Sequence, residues 1–373
     1  MTDTHSIDSR RTIVNDSRIT LKLFTAALLT AATLSASFVA GAADLRKITL
    51  VQAHTNIGVG EEVFLYAVPK KLGYFEQEGL DVSIQGVAGG SLAAQVLQGG
   101  SAQIASAAPE SIMFVRDKGG DIKSFAALRR KGGWEVAFKP GSPIKSLADL
   151  KGKSIGVQGL SSGVVPLLTA SLDEVGLRKG DYNLVAAGLG PQAAAALSSG
   201  KVDALVLWDA EYGKMENNGL ELKYLQLPIV EKLAGFTLAA TGQFIKEHPE
   251  VLVGFCRAMA KGEVYSRANP AAAIRIFYEV FPQTKPKGIP EEQAVKEDAN
   301  ILKRWMSSGT GADTSVPIAW QYPDKWEYTL KYYTDLGRIS KPQPVESYYT
   351  NQFIKDCNDF DKEKIRQAAM SAR

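Results

Sequence analysis

A chain of 373 residues is long enough for two lobes, each with its own core. Its 45% apolar and 22% charged residues are ordinary for a soluble globular protein. A net charge of +3, with no basic run longer than Arg129-Arg130-Lys131, argues against a nucleic-acid partner.

The N-terminus reads as an export signal. Arg10, Arg11, Arg18 and Lys22 precede an apolar run from Leu23 to Ala40, and Ala40-Gly41-Ala42 supplies the small residues of a cleavage site. Residues 1–42 are therefore expected to be removed. No cysteine lies near the cleavage point, so a lipid-anchored form is not indicated. Export puts Cys256 and Cys357 where a disulfide persists, but both fall in helical patterns, and pairing and free thiols both stay open.

Lys47–Gln52 has the alternation of a first strand, and His54–Gly60 is a polar loop at its C-terminal end. Glu61–Lys71 reads as an amphipathic helix and Asp81–Gln85 as the next strand, a βαβ unit that calls for a parallel sheet. From Gly86 to Met113 the order is loop, helix, short strand, loop, helix. Gly89 and Gly90 allow a tight turn and Ser91 opens a helix. Pro109 suits a first helical position, followed by Glu110 and Ser111. Two helix N-termini thus open close together, a main-chain site for a small polar or anionic molecule that needs no metal, cofactor or nucleophile.

Lys123–Leu128 is a strand, 129–133 a polar link, and Trp134–Phe138 a strand, so a first crossing between lobes falls here. Strands follow at Ser154–Val157, Tyr182–Ala187 and Val202–Leu207, with helices at Leu167–Val175 and Gln192–Leu197. Phe236–Ala240 returns to the first lobe. Helical patterns then begin near prolines at Pro249–Ala268, Pro270–Val280, Pro290–Met306 and Pro323–Leu336, with tryptophans and tyrosines that suit packing. The expected division is lobe 1 over 45–131, lobe 2 over 132–236, and a return with helical tail over 237–373. A shift of one hundred lays Gly90–Gly100 over Gly190–Gly200, and Gln103–Ala105 over Asp203–Leu205, as two lobes of one build would.

Gly159-Leu160-Ser161-Ser162-Gly163 fits the G-x-S-x-G elbow of serine hydrolases, with Asp209 and His248 following in order, so a secreted hydrolase is the rival reading. Against it, the Ser-Ser pair also looks like a helix cap, and His248-Pro249 like a helix start in the other lobe. Gly188–Ala193 resembles a dinucleotide motif, but Pro191 inside it counts against that use. His5, His54 and His248 are scattered and form no metal pattern. Trp134 and the pair Trp208-Asp209 stand at strand edges, where an aromatic face beside a carboxylate can hold a ligand carrying a donor or cation.

Residues 66–82, around Gly73-Tyr74-Phe75 and Glu78-Gly79-Leu80-Asp81-Val82, resemble a signature of the nitrate/sulfonate/taurine-type solute-binding proteins of ABC importers, the SsuA/THI5-like (NMT1-like) group. Leu147–Val157 and Gly200–Ala204 resemble two further motifs of that group. The resemblance implies a two-lobed periplasmic binding protein fold of type II, α/β, each lobe a mainly parallel sheet flanked by helices, with a helical C-terminal tail. It implies a monomer that closes on a small organic solute, sulfonate-, taurine- or nitrate-like or a related small organic acid or zwitterion, and meets an ABC permease in the inner membrane. Its contact loops fall on Gln52, His54, Thr55 and Asn56; on Gly89, Gly90 and Ser91; and on Pro109, Glu110 and Ser111. In the second lobe they fall on Ser161, Ser162, Gly163 and Val164; on Gly190, Pro191 and Gln192; and on Trp208 and Asp209, with Trp134 as a stacking candidate. The eukaryotic pyrimidine-precursor synthases of this fold carry a cysteine-rich motif that this chain lacks.

Overall fold

The computed structural model describes residues 45–160, 162 and 164–372. The expected signal peptide, Ser161 and Gly163 lie outside the described residues.

Two five-stranded mixed sheets carry the fold. The first contains β1 (Arg46–Gln52), β2 (Leu80–Gly86), β3 (Ile104–Ala107) and β4 (Ile122–Ala127). The second contains β5 (Trp134–Phe138), β6 (Ser154–Val157), β7 (Asn183–Ala186), β8 (Ala204–Trp208) and β9 (Lys223–Gln226). The chain then returns through β10 (Thr237–Thr241), and the two strand orders are β2-β1-β3-β10-β4 and β7-β6-β8-β5-β9. These are the same order twice, with β6, β7 and β8 in the places of β1, β2 and β3. The helices that echo each other in sequence, Gly90–Gln98 and Gly190–Ser198, precede β3 and β8. Each is stopped by a glycine in the left-handed region, Gly100 and Gly200, both at φ 77°.

Within each sheet the βαβ strands pair in parallel, while β10 and β5 run antiparallel to both neighbours. That reversal follows from connectivity, since each of these strands enters its sheet from the other lobe. The C-terminal ends of the parallel strands are where an open α/β sheet presents its loops for binding. Leu50, Ile104, Phe64 and Phe75 lie in the first core and Val136, Ile155, Leu168 and Val206 in the second, all of them closed to solvent.

Three departures from the sequence reading have plain causes. Residues 61–71 are helical, but the turn Val63–Ala67 is a π-helix in which the Val68 N–H donates to Val63 O. Pro69 explains this turn, because it has no N–H to continue an α-helical ladder. The helix Asp209–Asn217 has no apolar stripe to advertise it, since it buries Asp209 and Glu211 as well as Tyr212 and Met215. Strand β9 is too short for a period.

The tail helices touch both lobes. Arg304, in the helix Glu291–Met306, bonds Glu135 of β5 at 2.7 Å and lies over the Tyr224 ring of β9 at 4.0 Å. Its neighbour Trp305 packs on Phe64 of the first lobe, with ring centroids 5.0 Å apart. In the helix Pro323–Asp335, Lys325 donates to Glu231 O at 2.7 Å, and Tyr333 meets Phe114 edge-on at 5.6 Å. A disulfide joins Cys256 to Cys357, with Cα atoms 5.3 Å apart. Among the described residues no helix is long and apolar enough to cross a membrane.

Candidate functional site

Strand β8 ends at Trp208 and β5 begins at Trp134, and these two residues face each other in register. Their rings meet edge-to-face with centroids 5.4 Å apart, a favourable aromatic arrangement. Trp134 also lines a cavity of about 100 Å³ whose wall comes from both lobes. Pro109 and Glu110 reach it from the first sheet's side and Leu167 and Val230 from the second's, with Phe236 and Tyr333 between.

Glu110 stands in the first turn of the helix Pro109–Asp117. Among the described residues its carboxyl has no ion pair and no hydrogen bond to another side chain. Loss of water around it raises its pKa above the ordinary carboxylate range, and its own backbone N–H opposes that only partly. Its charge in turn pushes up the Tyr333 hydroxyl, whose main cause of elevation is burial. A carboxyl short of partners beside tryptophan, phenylalanine and tyrosine can accept N–H donors from a flat ring.

The neighbouring helix start packs closely. A side chain at Gly90 would meet Ser111 Oγ at 2.8 Å, so glycine lets the two N-termini approach. Gly89, at φ 102°, precedes that helix. Ser91 is exposed, and together with Ser111 it lines a groove running down between the two helices toward Phe114 and Arg338. In the second lobe, Ser162 donates its N–H to Gly159 O at 2.9 Å, and buried Val164 opens the helix Val164–Glu174. The Gly190 amide donates to Glu211 at 3.2 Å, Pro191 has no amide hydrogen, and Gln192 folds back over Gly188. Asp209 is buried and ion-paired with Arg129. Arg129 lies 4.5 Å from the Trp305 ring centroid. His248 sits against Phe244, 3.8 Å from Glu250, so the acid and the histidine of the hydrolase reading do not meet.

At the C-terminal end of β1 a polar cluster forms. His54 Nε2 is 3.6 Å from Glu61, and Nδ1 is 3.6 Å from Glu62 and 3.0 Å from the Asn56 carbonyl. Thr55 and Asn56 are exposed in the loop. The contact with Glu61, reinforced by the charge on Glu62, raises the His54 pKa to about 9 against the cost of burial. Burial, and then the neighbouring Glu61 charge, raises the Glu62 pKa to about 7. Behind them Ser106 donates to Glu61 at 2.7 Å, and Gln52 donates to the His54 carbonyl at 3.1 Å.

Glu61, Glu62, Arg129, Phe236 and Tyr333 were not foreseen. The two glutamates read as an ordinary helix start, and Arg129 as part of a polar link. Only their spatial neighbours reveal them.

The family model described as NMT1/THI5 like matches residues 62–273. The chain belongs to the NMT1/THI5-like family. Among curated relatives, a formylaminopyrimidine-binding protein of Halalkalibacterium halodurans is 26% identical over 295 residues, covering 77% of this chain and 85% of its own. Riboflavin-binding protein RibY of Chloroflexus aurantiacus is 24% identical over 297 residues, with 78% and 81% covered. The periplasmic aliphatic sulphonate binding protein SsuA of Escherichia coli superposes with a TM-score of 0.60 at 18% identity, over 82% of this chain and 91% of its own. That likeness establishes the two-lobed periplasmic binding protein fold for this member of the NMT1/THI5-like family.

Proposed function

We propose that this protein is the periplasmic solute-binding component of an ABC importer, acting as a monomer without catalysis. Its solute is a small flat nitrogen heterocycle bearing N–H donors, which it presents to an inner-membrane permease. The lobes close on this solute, and the permease recognises the closed form. The observation that carries this reading is Glu110, unpartnered among the described residues, in a cavity bordered by Trp134, Phe236 and Tyr333. A bare sulfonate or nitrate would meet that carboxyl as a like charge, whereas an amino-substituted ring meets it as a donor. The two binding-protein relatives are named for a pyrimidine and a flavin, which supports the same class. About 100 Å³ is well below the ~300 Å³ at which ligand pockets begin, so the lobes must part for anything larger than one small ring.

The test is a thermal-shift and calorimetric screen of 4-aminopyrimidine, riboflavin, taurine and aliphatic sulfonates. A heterocycle is expected to stabilise the protein by about 3–4 kcal/mol when present at 100 to 1,000 times its Kd. Glu110→Gln is expected to weaken that binding by about tenfold, the loss of roughly one charge-assisted hydrogen bond. Tight binding of a sulfonate that is unchanged in Glu110→Gln would reverse the choice of solute.

A further inference from the structure

One flat, nitrogen-bearing ring already rests at the C-terminal end of β1, and the protein supplies it. His54 is half-exposed, with 42% of its side chain open to solvent, while the carboxylates of Glu61 and Glu62 beneath it are 8% and 2% open. Both of its contacts to them are 3.6 Å, longer than good charge-assisted hydrogen bonds. The carboxylates are anchored independently of the imidazole: Ser106 Oγ donates to Glu61 at 2.7 Å, and the Gly58 N–H to Glu62 at 3.2 Å. They would therefore keep their places if His54 swung away. The displacement is a rotation of the His54 side chain alone, so the Gly58 N–H, which lies in the same loop, stays on Glu62.

A second observation concerns Gln52, which is fully buried. Its Nε2 donates to the His54 carbonyl at 3.1 Å, while His54 Nδ1, 3.3 Å away, faces the Asn56 carbonyl as a donor and does not accept from Gln52. Its other end, Oε1, is buried without a hydrogen-bond partner. Turning the amide over would set Oε1 against the carbonyl oxygen, so the present orientation is the favoured one and leaves an acceptor unused. A buried acceptor of this kind costs stability unless something donates to it. An imidazolium has two N–H groups on a five-membered ring. An amino-substituted six-membered ring has more donors and a longer edge.

We propose that Gln52, Glu61 and Glu62 form a solute subsite in which His54 is a tethered stand-in, displaced when the N–H-bearing edge of a flat amino-substituted or cationic ring takes its place. The inference rests on the reading above that the protein receives such a ring, and it adds where a second set of donors is read. The histidine then works as a selectivity filter. A solute enters only if it satisfies the two carboxylates and the idle amide oxygen better than the imidazolium does, which anions and apolar rings cannot.

The experiment removes the stand-in and supplies it from solution. His54→Ala, with His54→Asn as a second variant in case the first folds poorly, is titrated with imidazole at pH 6.5, where free imidazole is substantially protonated. Saturable imidazole binding by either variant is expected, at least tenfold tighter than by the parent protein, and lost by at least tenfold when Glu61→Gln and Glu62→Gln are added. In parallel, 4-aminopyrimidine is expected to bind His54→Ala at least tenfold more tightly than the parent. Folded variants that bind imidazole no better than the parent would overturn the proposal. So would binding indifferent to the two glutamine substitutions, since imidazole would then be filling a hole rather than an acidic subsite. Imidazole rescue together with no binding of 4-aminopyrimidine to any variant supports the subsite and tells against the heterocycle reading alone.

Discussion

Arg129 donates to the Asp209 carboxylate at the junction of the two lobes, one partner just past β4 and the other at the first residue of the helix Asp209–Asn217. Both side chains are nearly closed to solvent, at 10% and 5%. The Arg129 guanidinium also bonds Ser308 and stacks on Trp305, so it ties the crossing segment to the second lobe and to the tail. Asp209 follows Trp208 directly, and its N–H donates to the Gly133 carbonyl beside Trp134. The ion pair thus sits directly beside the β5–β8 ladder that sets the two tryptophans opposite each other.

Removing one member of a buried pair strands the other. Arg129→Ala is expected to destabilise the protein by about 3–5 kcal/mol in urea unfolding. Arg129→Ala combined with Asp209→Ala is expected to cost less than the sum of the single changes, because no uncompensated charge remains. Strict additivity would mean that the two groups do not act as a pair.

The disulfide gives a second prediction. Cys256 and Cys357 are 101 residues apart, so the bridge closes most of the helical tail into one loop. Loop-closure entropy for about 100 residues corresponds to roughly 4–5 kcal/mol. Replacing both cysteines by alanine should lower the unfolding free energy measured in urea by about that amount, less any relief of the native state. Reductant should bring the parent toward the variant and leave the variant unmoved.

Much of the fold was readable because it depends on local periods and punctuation. β5, β6 and the helices Pro249–Ala268 and Pro270–Val280 lie where alternation, glycines and first-turn prolines put them. The internal echo also anticipated a topological correspondence, since β3 and β8 occupy the same place in their sheets. The site was less readable, for a physical reason. Glu61 and Glu62 matter through His54 and Gln52, and Arg129 through Asp209 eighty residues away. Such pairings arise only when distant segments meet, and neither composition nor spacing encodes them. Cysteine pairing was undecidable for the same reason.

Proton linkage at Glu62 and His54 gives a prediction with a definite sign. Glu62 rises from 4.5 to about 7 on folding, so between those values the folded protein holds a proton that the unfolded chain has released. His54 rises from 6.5 to about 9, with the same consequence in its own window. For both groups the folded state binds more protons, so stability falls as pH rises, first from 4.5 to 7 and then from 6.5 to 9. Glu62→Gln removes the first contribution. It should leave stability little changed at pH 5 and raise it, relative to the parent, by on the order of 2 kcal/mol at pH 8. A parent and variant with parallel stability curves between pH 5 and 8 would contradict this assignment.

The π-turn beneath the polar cluster makes the last prediction. Because the Val68 N–H serves Val63 and Pro69 has no N–H, the Phe64 carbonyl lacks the donor that an α-helix would give it. That carbonyl points at Gly262 in the helix Pro249–Ala268, where an added methyl group would sit 2.1 Å from the oxygen and 2.9 Å from the Pro69 ring. Neither neighbour can yield easily, since one is backbone and the other a closed ring in a buried turn. Gly262→Ala should therefore cost about 3 kcal/mol or more, although alanine is the better helix former in isolation. The strain would be relieved by pushing residues 61–67 away from the helix, and Glu61 and Glu62 would move with them. In the folded variant the His54 ring resonances, followed by NMR, should titrate at lower pH than in the parent. A Gly262→Ala protein with unchanged stability and an unchanged His54 titration would show that the helix and the turn do not meet as closely as described.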